Sequence, residues 1–207
     1  MIKLYFSPGT IASASAIALE EAGLPYEPVR VDFAAGEQRE EPYLSLNPKG
    51  RVPVLITTDG TFTETGAILE YIAARAPEAG LAPADPVAQA QMRAAMYYFA
   101  STMHPNHAHG RRGARWADDP AAQAAMAAKV PETMTACCDY VENHMLTGPF
   151  ILGDRPSVAD CYLYTISTWL EGDSVDITAF PKLQAFRETM AARPSVQAVV
   201  AKGMIPQ

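Results

Sequence analysis

The pattern of apolar residues changes near residues 76–85, a short stretch rich in proline, glycine and alanine. Before it, short apolar runs alternate with segments of helical spacing, and after it the patterns are helical. A stretch with so little periodicity is typical of an exposed connection between independently packed units. We therefore predict domains at residues 1–76 and 86–207, joined by a linker at residues 77–85.

The first domain is predicted to have the order βαβαββα. Gly23 ends the first helix, and the Asp59-Gly60 pair is a strong hairpin signal. The expected elements are a strand at Ile2–Phe6, a helix at 10–22, a strand at Tyr26–Val31, a weak helix at Glu37–Leu46, a strand at Val52–Ile56, a strand beginning at Phe62 and a helix from Glu64 to Pro77. This order places two antiparallel strands after a parallel pair.

The second domain is predicted to be entirely helical. The expected helices lie at 86–116, 119–145, 157–171, 181–192 and from 195 onward. Asp119-Pro120 supplies a cap and a first-turn proline for the second of them. Ser157 and Asp160 have the spacing of a capping box, for which we favour a structural role.

Charge and cysteine content restrict the partners and the compartment. The formal net charge of -7 provides no basic field for nucleic acid. No apolar run has the roughly 18 residues of a membrane-spanning helix, and no signal peptide is recognisable at the start. The three cysteines, two of them adjacent, do not indicate a disulfide framework. We expect a soluble cytoplasmic protein with no nucleic acid or membrane partner.

Four segments resemble the cytosolic glutathione transferase superfamily, and its bacterial beta class in particular. The segments are Lys3 to Gly9, Asn47 to Leu55, Thr63 to Ile72 and Gly153 to Asp160. Their order and spacing carry the resemblance, since each one alone is weak. The resemblance implies an α/β thioredoxin-like domain that binds glutathione, followed by an all-α domain that holds an electrophilic co-substrate. It implies no metal and no organic cofactor beyond glutathione.

The resemblance also implies a glutathione site. The backbone of Val52, next to a cis peptide bond before Pro53, would pair with the cysteinyl part of glutathione. Glu64 and Thr65 begin a predicted helix, where N–H groups and the helix dipole favour an anion, and they would bind the γ-glutamyl group. Ordinary helix capping is the alternative for these two residues. The predicted glutathione-binding set also includes Tyr5, Arg39, Lys49 and His104. For Arg39 and Lys49, solvated surface charge is the alternative.

The chain departs from the beta class after its first turn. That class carries a cysteine two residues after the Pro-Gly turn, where this chain has Ile11, and Ala12 follows. Thr10 directly follows the turn, where the delta class places its catalytic serine. We therefore predict that Thr10 activates the glutathione sulfur. Ser13 is the competing catalytic hydroxyl, and capping of the helix is the other role that suits Thr10.

The helical domain supplies the predicted co-substrate pocket. His104 falls where the beta class carries an active-site histidine. The residues predicted to line the pocket are His107, Arg111, Trp116 and Tyr164. Core packing is the alternative for the aromatic residues. A metal site formed by the nearby histidines is not favoured, because Pro105 distorts the helix and no cysteine or carboxylate stands at ligand spacing.

These expectations converge on one activity. The predicted reaction is conjugation of the glutathione thiolate to a small hydrophobic electrophile, as in detoxification. A glutathione-dependent isomerase and a non-catalytic glutathione-binding or regulatory homologue are the alternatives. A homodimer is expected, because residues 86–100 are too aromatic to remain exposed and because the superfamily is dimeric.

Overall fold

The computed structural model describes residues 1–206. Its internal contacts form two compact units, one of residues 1–84 together with 191–207, and the other of residues 85–190. The expected division at residues 77–85 is close to the first boundary. The grouping differs from the expected domain of residues 86–207, because the end of the chain packs with the first unit.

The first unit contains a four-stranded mixed sheet, as predicted. Its strands are β1 (Ile2–Phe6), β2 (Tyr26–Arg30), β3 (Val54–Thr57) and β4 (Gly60–Thr63). The sheet order is β2-β1-β3-β4, in which β1 and β2 are parallel and the other two pairs are antiparallel. The predicted third strand began at Val52, but β3 begins two residues later because Pro53 has no N–H to donate to the sheet.

Three α-helices lie within residues 1–84 of this unit. They are α1 (Ala12–Glu21), α2 (Tyr43–Leu46) and α3 (Thr65–Arg75). Residues Ala12 to Leu19 of α1 are all buried, and the alanines and serines among them allow close packing. The predicted helix at Glu37–Leu46 is instead a 3-10 turn at Glu37–Arg39 followed by α2. Pro42 separates the two because it cannot donate a helical hydrogen bond.

The end of the chain folds back onto α1. Helix α9 (Pro194–Ala201) packs against α1. The Arg193 guanidinium donates to both carboxylate oxygens of Glu21 at 2.5 and 2.7 Å, and the Ser195 hydroxyl donates to the same carboxylate. Burial raises the pKa of Glu21, but the hydrogen bonds and charge of Arg193 and Ser195 outweigh it, so the net shift is downward. This cluster explains why residues 191–207 belong to the first unit.

The second unit is helical. Its helices are α4 (Pro86–Tyr98), α5 (His104–Arg112), α6 (Pro120–Tyr140), α7 (Val158–Ser167) and α8 (Pro181–Ala191). The predicted helix at 86–116 is divided by a π-helical turn at Phe99–Met103 and ends in a 3-10 turn. Pro105 follows that turn, and a proline cannot continue the regular hydrogen bonding of an α-helix. A second π-helical turn, at Val141–Met145, ends α6.

Helix α7 begins with the predicted capping box. The Ser157 hydroxyl accepts from the N–H of Ala159, and the Asp160 carboxylate accepts from the N–H and hydroxyl of Ser157. Asp160 is fully buried and also accepts from the N–H of Ile151 at 2.9 Å. Its side chain therefore ties the start of α7 to the preceding loop. Among residues 1–206, no helix has the length and apolar character needed to cross a membrane.

Candidate functional site

The strand register brings three segments to one end of the sheet. Tyr5 lies opposite Val54, and Val54 lies opposite Thr63. Since β1 ends just after Tyr5, β3 begins at Val54 and β4 ends at Thr63, the connections at 7–11, 52–53 and 64–65 leave the sheet at the same end. These connections carry four of the eight residues predicted to bind glutathione, namely Val52, Pro53, Glu64 and Thr65.

The two predicted catalytic hydroxyls, that of Thr10 in the loop after β1 and that of Ser13 in the first turn of α1, have different surroundings. The Thr10 hydroxyl is half-buried and donates to the carbonyl of Ser7 at 2.6 Å. Ile11 is the N-cap residue of α1, and no side chain caps that helix. Thr10 therefore does not have the capping role that its position suggested. The Ser13 hydroxyl is almost fully buried and donates to the carbonyl of Met204 at 3.2 Å.

Hydrogen bonds to the carbonyl oxygen of Arg51 hold the segment before β3 in place. The Tyr43 hydroxyl and the Asn47 amide nitrogen donate to that oxygen at 2.6 and 2.7 Å. The Val52-Pro53 peptide bond is cis, as the resemblance implied. Gly50 has a φ of 60°, and a Cβ atom there would lie 2.8 Å from the carbonyl oxygen of Gln38. A larger residue would therefore displace this loop.

The start of α3 has the features of an anion site. Glu64, its N-cap residue, has a φ of 68°, which is uncommon for a residue with a side chain, and it makes no side-chain cap hydrogen bond. Thr65 is buried as the first residue of the helix. The alternative of ordinary capping is thus not what the geometry shows. Strained backbone of this kind is concentrated at ligand sites.

The other residues predicted to bind glutathione lie around this edge. The Lys49 ammonium group donates to Glu64 at 2.6 Å and to the Thr63 hydroxyl at 2.8 Å. Lys49 and Glu64 are both exposed, so this pair can open to admit a ligand. Arg39 is exposed. Tyr5 is half-buried and its ring meets that of Tyr43 edge-on at 5.9 Å.

In the helical unit, two predicted histidines share one aromatic neighbour. The His107 ring stacks on Trp169 at a centroid distance of 4.3 Å, and the His104 ring lies 5.1 Å from the same indole. His107 Nδ1 also lies 2.8 and 2.9 Å from the two carboxylate oxygens of Asp173. Trp169 and Asp173 are missing from the predicted site. Asp173 lies 66 residues from His107 in sequence, so no local spacing pointed to it.

The remaining predicted pocket residues have different surroundings. Tyr164 is only 5% exposed and belongs to the core of this unit, and burial raises the pKa of its hydroxyl. Trp116 is 50% exposed, and its ring meets that of His109 at 4.5 Å. Arg111 is exposed near the end of α5. The geometry within this unit groups His104 and His107 around Trp169 and gives no such grouping for Arg111, Trp116 and Tyr164.

Comparisons with known proteins identify the family. Residues 1–74 match the model of the glutathione S-transferase N-terminal domain, and residues 108–203 match that of the C-terminal domain. The chain is 30% identical to glutathione S-transferase GstA of Escherichia coli O157:H7, over 98% of this chain and 100% of that protein. It is 34% identical to a maleylacetoacetate isomerase of Rhizobium meliloti, over 87% and 86% of the two proteins.

A solved structure agrees with both the sequence and the fold. The crystal structure of a glutathione transferase homologue from Sulfitobacter, with bound glutathione, is 58% identical in sequence and covers 99% of each chain with a TM-score of 0.97. These matches extend over both units. In addition, the segments predicted to bind the ligand lie at one end of the mixed sheet. The chain is a member of the glutathione transferase family.

Proposed function

We propose that the protein binds glutathione at the end of the sheet described above and transfers its thiolate to a small hydrophobic electrophile. The observation that carries this proposal is the start of α3. There, N–H groups without a side-chain cap follow a residue of strained backbone, beside the connections that contain Thr10 and Val52. The bound glutathione of the Sulfitobacter homologue supports the ligand.

The assignment of parts follows from the chemistry of glutathione. The γ-glutamyl carboxylate meets Thr65 and the N–H groups of α3, and the γ-glutamyl amino group meets the Glu64 carboxylate. The backbone of Val52, next to Pro53, pairs with the cysteinyl unit as an added strand would. Lys49, which already lies beside Glu64, and the exposed Arg39 are the cations offered to the glycyl carboxylate.

Activation of the sulfur depends on Thr10. A thiol like that of glutathione has a pKa near 8.5, and lowering it by about two units requires roughly 3 kcal/mol of stabilisation of the thiolate. The Thr10 hydroxyl and the N–H groups that open α1 supply it once the hydroxyl proton turns from the Ser7 carbonyl to sulfur. Ser13 is the weaker candidate, because its buried hydroxyl is directed to Met204.

The co-substrate is assigned to the helical unit. His104 and His107 lie with Trp169 in one aromatic and polar cluster, and Arg111, Trp116 and Tyr164 remain proposed contributors. We assign the protein to the cytoplasm, where its three free cysteines would stay reduced, and to detoxification. The subunits form homodimers through α4, whose Val87 and Tyr97 side chains are exposed.

Isomerisation is the second candidate function, because of the likeness to a maleylacetoacetate isomerase. In that reaction, the thiolate adds to a double bond and leaves again, so that glutathione is not consumed. Calorimetric titration with glutathione, followed by turnover of chlorodinitrobenzene, tests the main proposal. Product analysis then separates conjugation from isomerisation. Binding without turnover on a broad panel of electrophiles would overturn the enzymatic proposal and favour a regulatory homologue.

A further inference from the structure

The carbonyl oxygen of Met204 accepts two hydrogen bonds from residues near the start of the chain. The N–H of Gly9 donates to it at 2.8 Å, and the hydroxyl of Ser13 donates to it at 3.2 Å. Met204 is fully buried, so water does not compete for this oxygen. Thr10, the residue proposed to activate the glutathione sulfur, lies between these two donors in sequence. Both ends of the segment that carries Thr10 are therefore attached to one atom.

A glycine turn at the end of α9 presents this carbonyl to α1. The N–H of Gly203 donates to the carbonyl of Val200, and the N–H of Met204 donates to the carbonyl of Val199. These two bonds form a Schellman motif, in which a left-handed residue ends a helix. Gly203 supplies that residue, with a φ of 69°. Among residues 1–206, no atom beyond its chain neighbours lies within 4 Å of where its Cβ would stand, so only the backbone conformation requires glycine.

Ion pairs hold both ends of α9 on α1. Arg193 binds Glu21 at one end, and at the other end the Lys202 ammonium group donates to the carboxylate of Glu20. Lys202 comes directly before the glycine turn, so the turn has a fixed position relative to α1. The carbonyl that follows the turn can therefore restrain the segment at 9–13 rather than follow its movements.

We propose that the turn at Gly203 and Met204 is a positioning element of the catalytic site, which holds the Thr10 hydroxyl where it can activate the glutathione sulfur. The inference rests on the proposed transferase function. A hydrogen bond weakens steeply as its length and angle leave their optimum, so a hydroxyl that stabilises a thiolate must be held in place. Ser13 then has a positioning role, through Met204, and no catalytic one.

Gly23 provides a matched control in the same unit. It ends α1 in the same motif, since its N–H donates to the carbonyl of Glu20 and the N–H of Leu24 donates to the carbonyl of Leu19. Its φ is 62°, and within the described part of the chain its Cβ would also meet no atom within 4 Å beyond its neighbours. Gly23 thus matches Gly203 in conformation and surroundings, but it lies at the opposite end of α1 from the proposed activating hydroxyl.

The test measures the thiolate absorbance of glutathione bound to the full-length protein as a function of pH. Valine is strongly disfavoured at a left-handed φ, so Gly203→Val should open the turn. We expect the pKa of the bound thiol to rise by about 1, and kcat/KM for chlorodinitrobenzene at pH 6.5 to fall by about fivefold. Gly203→Asn should keep the wild-type thiol pKa, because asparagine adopts this conformation. Gly23→Val should lower the melting temperature as Gly203→Val does, but leave the thiol pKa unchanged.

A double variant shows whether the turn acts through Thr10. If it does, adding Gly203→Val to Thr10→Ala should lower kcat/KM by less than about twofold, because the effects of coupled changes do not add. Losses that multiply fully in the double variant, or an unchanged thiol pKa in folded Gly203→Val, would overturn the inference. An equal rise of the thiol pKa in Gly23→Val would also overturn it, since the effect would then follow from lowered stability.

If Gly203→Val does not fold, as judged by circular dichroism, Gly203→Ala and Gly23→Ala decide by the same comparison, because alanine is less strained at this φ than a β-branched residue. Turnover of chlorodinitrobenzene by the wild type separately tests the transferase function. If glutathione binds without turnover, the transferase proposal fails and the thiol pKa alone decides the present inference. Absence of both turnover and a bound thiolate in the wild type would overturn both proposals.

Discussion

The proposed activation of the glutathione sulfur depends on a single hydroxyl, that of Thr10. Thr10→Ala removes the donor, so the bound thiol should ionise less readily, and kcat/KM at pH 6.5 should fall by about 10-fold, or 1.4 kcal/mol in the transition state. Glutathione affinity should change less, and Thr10→Ser should keep most activity. Thiolate absorbance of the bound glutathione measures the effect. A collapse of that absorbance in Ser13→Ala, with none in Thr10→Ala, would transfer the role to Ser13.

Glu64 is the residue whose backbone conformation most needs a functional explanation. Glu64→Gln keeps the size of the side chain but removes the charge proposed to meet the γ-glutamyl amino group. The loss of a hydrogen bond to a charged group is worth about 1.5–3 kcal/mol, so KM for glutathione should rise by about 10-fold or more, with kcat nearly unchanged. Glu78→Gln, an exposed change outside the site, is the control. An unchanged KM in Glu64→Gln would contradict the assignment.

At the scale of residues, the sequence indicated candidate positions for the site, and it said less about their geometry. The order of motifs pointed to Val52, Pro53, Glu64 and Thr65, because the resemblance rests on consecutive residues. It did not indicate the positive φ of Glu64, since no glycine marks that position. Nor could it pair His107 with Asp173, because nothing local in a single sequence records a contact between residues so far apart.

At the scale of elements, the start of α7 depends on one buried carboxylate. Asp160→Ala leaves the N–H groups of Ile151 and Ser157 without their acceptor, so it should lower the free energy of unfolding by about 1–3 kcal/mol at pH 7. Urea unfolding measures the loss. Asp119→Ala, which removes an exposed cap from α6, provides the comparison and should cost about 0.5–1 kcal/mol.

The same carboxylate predicts a dependence on pH. Burial raises the pKa of Asp160 to about 6, although hydrogen bonds from Ile151 and Ser157 oppose the shift. The pKa of an aspartate in the unfolded chain is near 3.9. Between about pH 4 and pH 6, the folded protein therefore holds a proton on Asp160 that the unfolded chain has released. The stability that this proton contributes is lost as pH rises through that window. The cost of Asp160→Ala should therefore be larger at pH 4.5 than at pH 7. An equal or smaller cost at pH 4.5 would contradict the raised pKa.

The type of each element could be predicted well from the sequence, but the points where a helix is interrupted could not. The capping box, the hairpin and the order of helices and strands all follow from local chemistry, and they agree with the structure. The break at Pro42 was not anticipated, because the apolar spacing on either side of it still fits a helix. A distortion at Pro105 was expected, but the π-helical turn at Phe99–Met103 that precedes it was not. The return of residues 191–207 to the first unit depends on long-range contacts such as Arg193 with Glu21, which apolar patterns do not encode.

At the scale of the whole molecule, the surface of α4 carries the proposal of a homodimer. Val87 and Tyr97 are 64% and 65% exposed, although both are large and apolar in character. Such residues on one helix are typical of a surface that is covered in an assembly. If two copies meet through this surface with twofold symmetry, each substitution on it acts twice in the interface.

Tyr97→Glu tests that arrangement. Two buried carboxylates would face the interface, so the dimer should dissociate at least about 30-fold more readily, the effect expected for an interface residue worth 2 kcal/mol. Sedimentation velocity at micromolar concentration should give about twice 22.3 kDa for the wild type and a lower mass for Tyr97→Glu. Ala124→Glu, on the exposed side of α6, adds the same charge away from α4 and should remain dimeric. A monomeric wild type would refute the dimer. A Tyr97→Glu protein that stays fully dimeric would place the dimer interface elsewhere, because burial of a carboxylate in a dry apolar contact carries a large free-energy penalty.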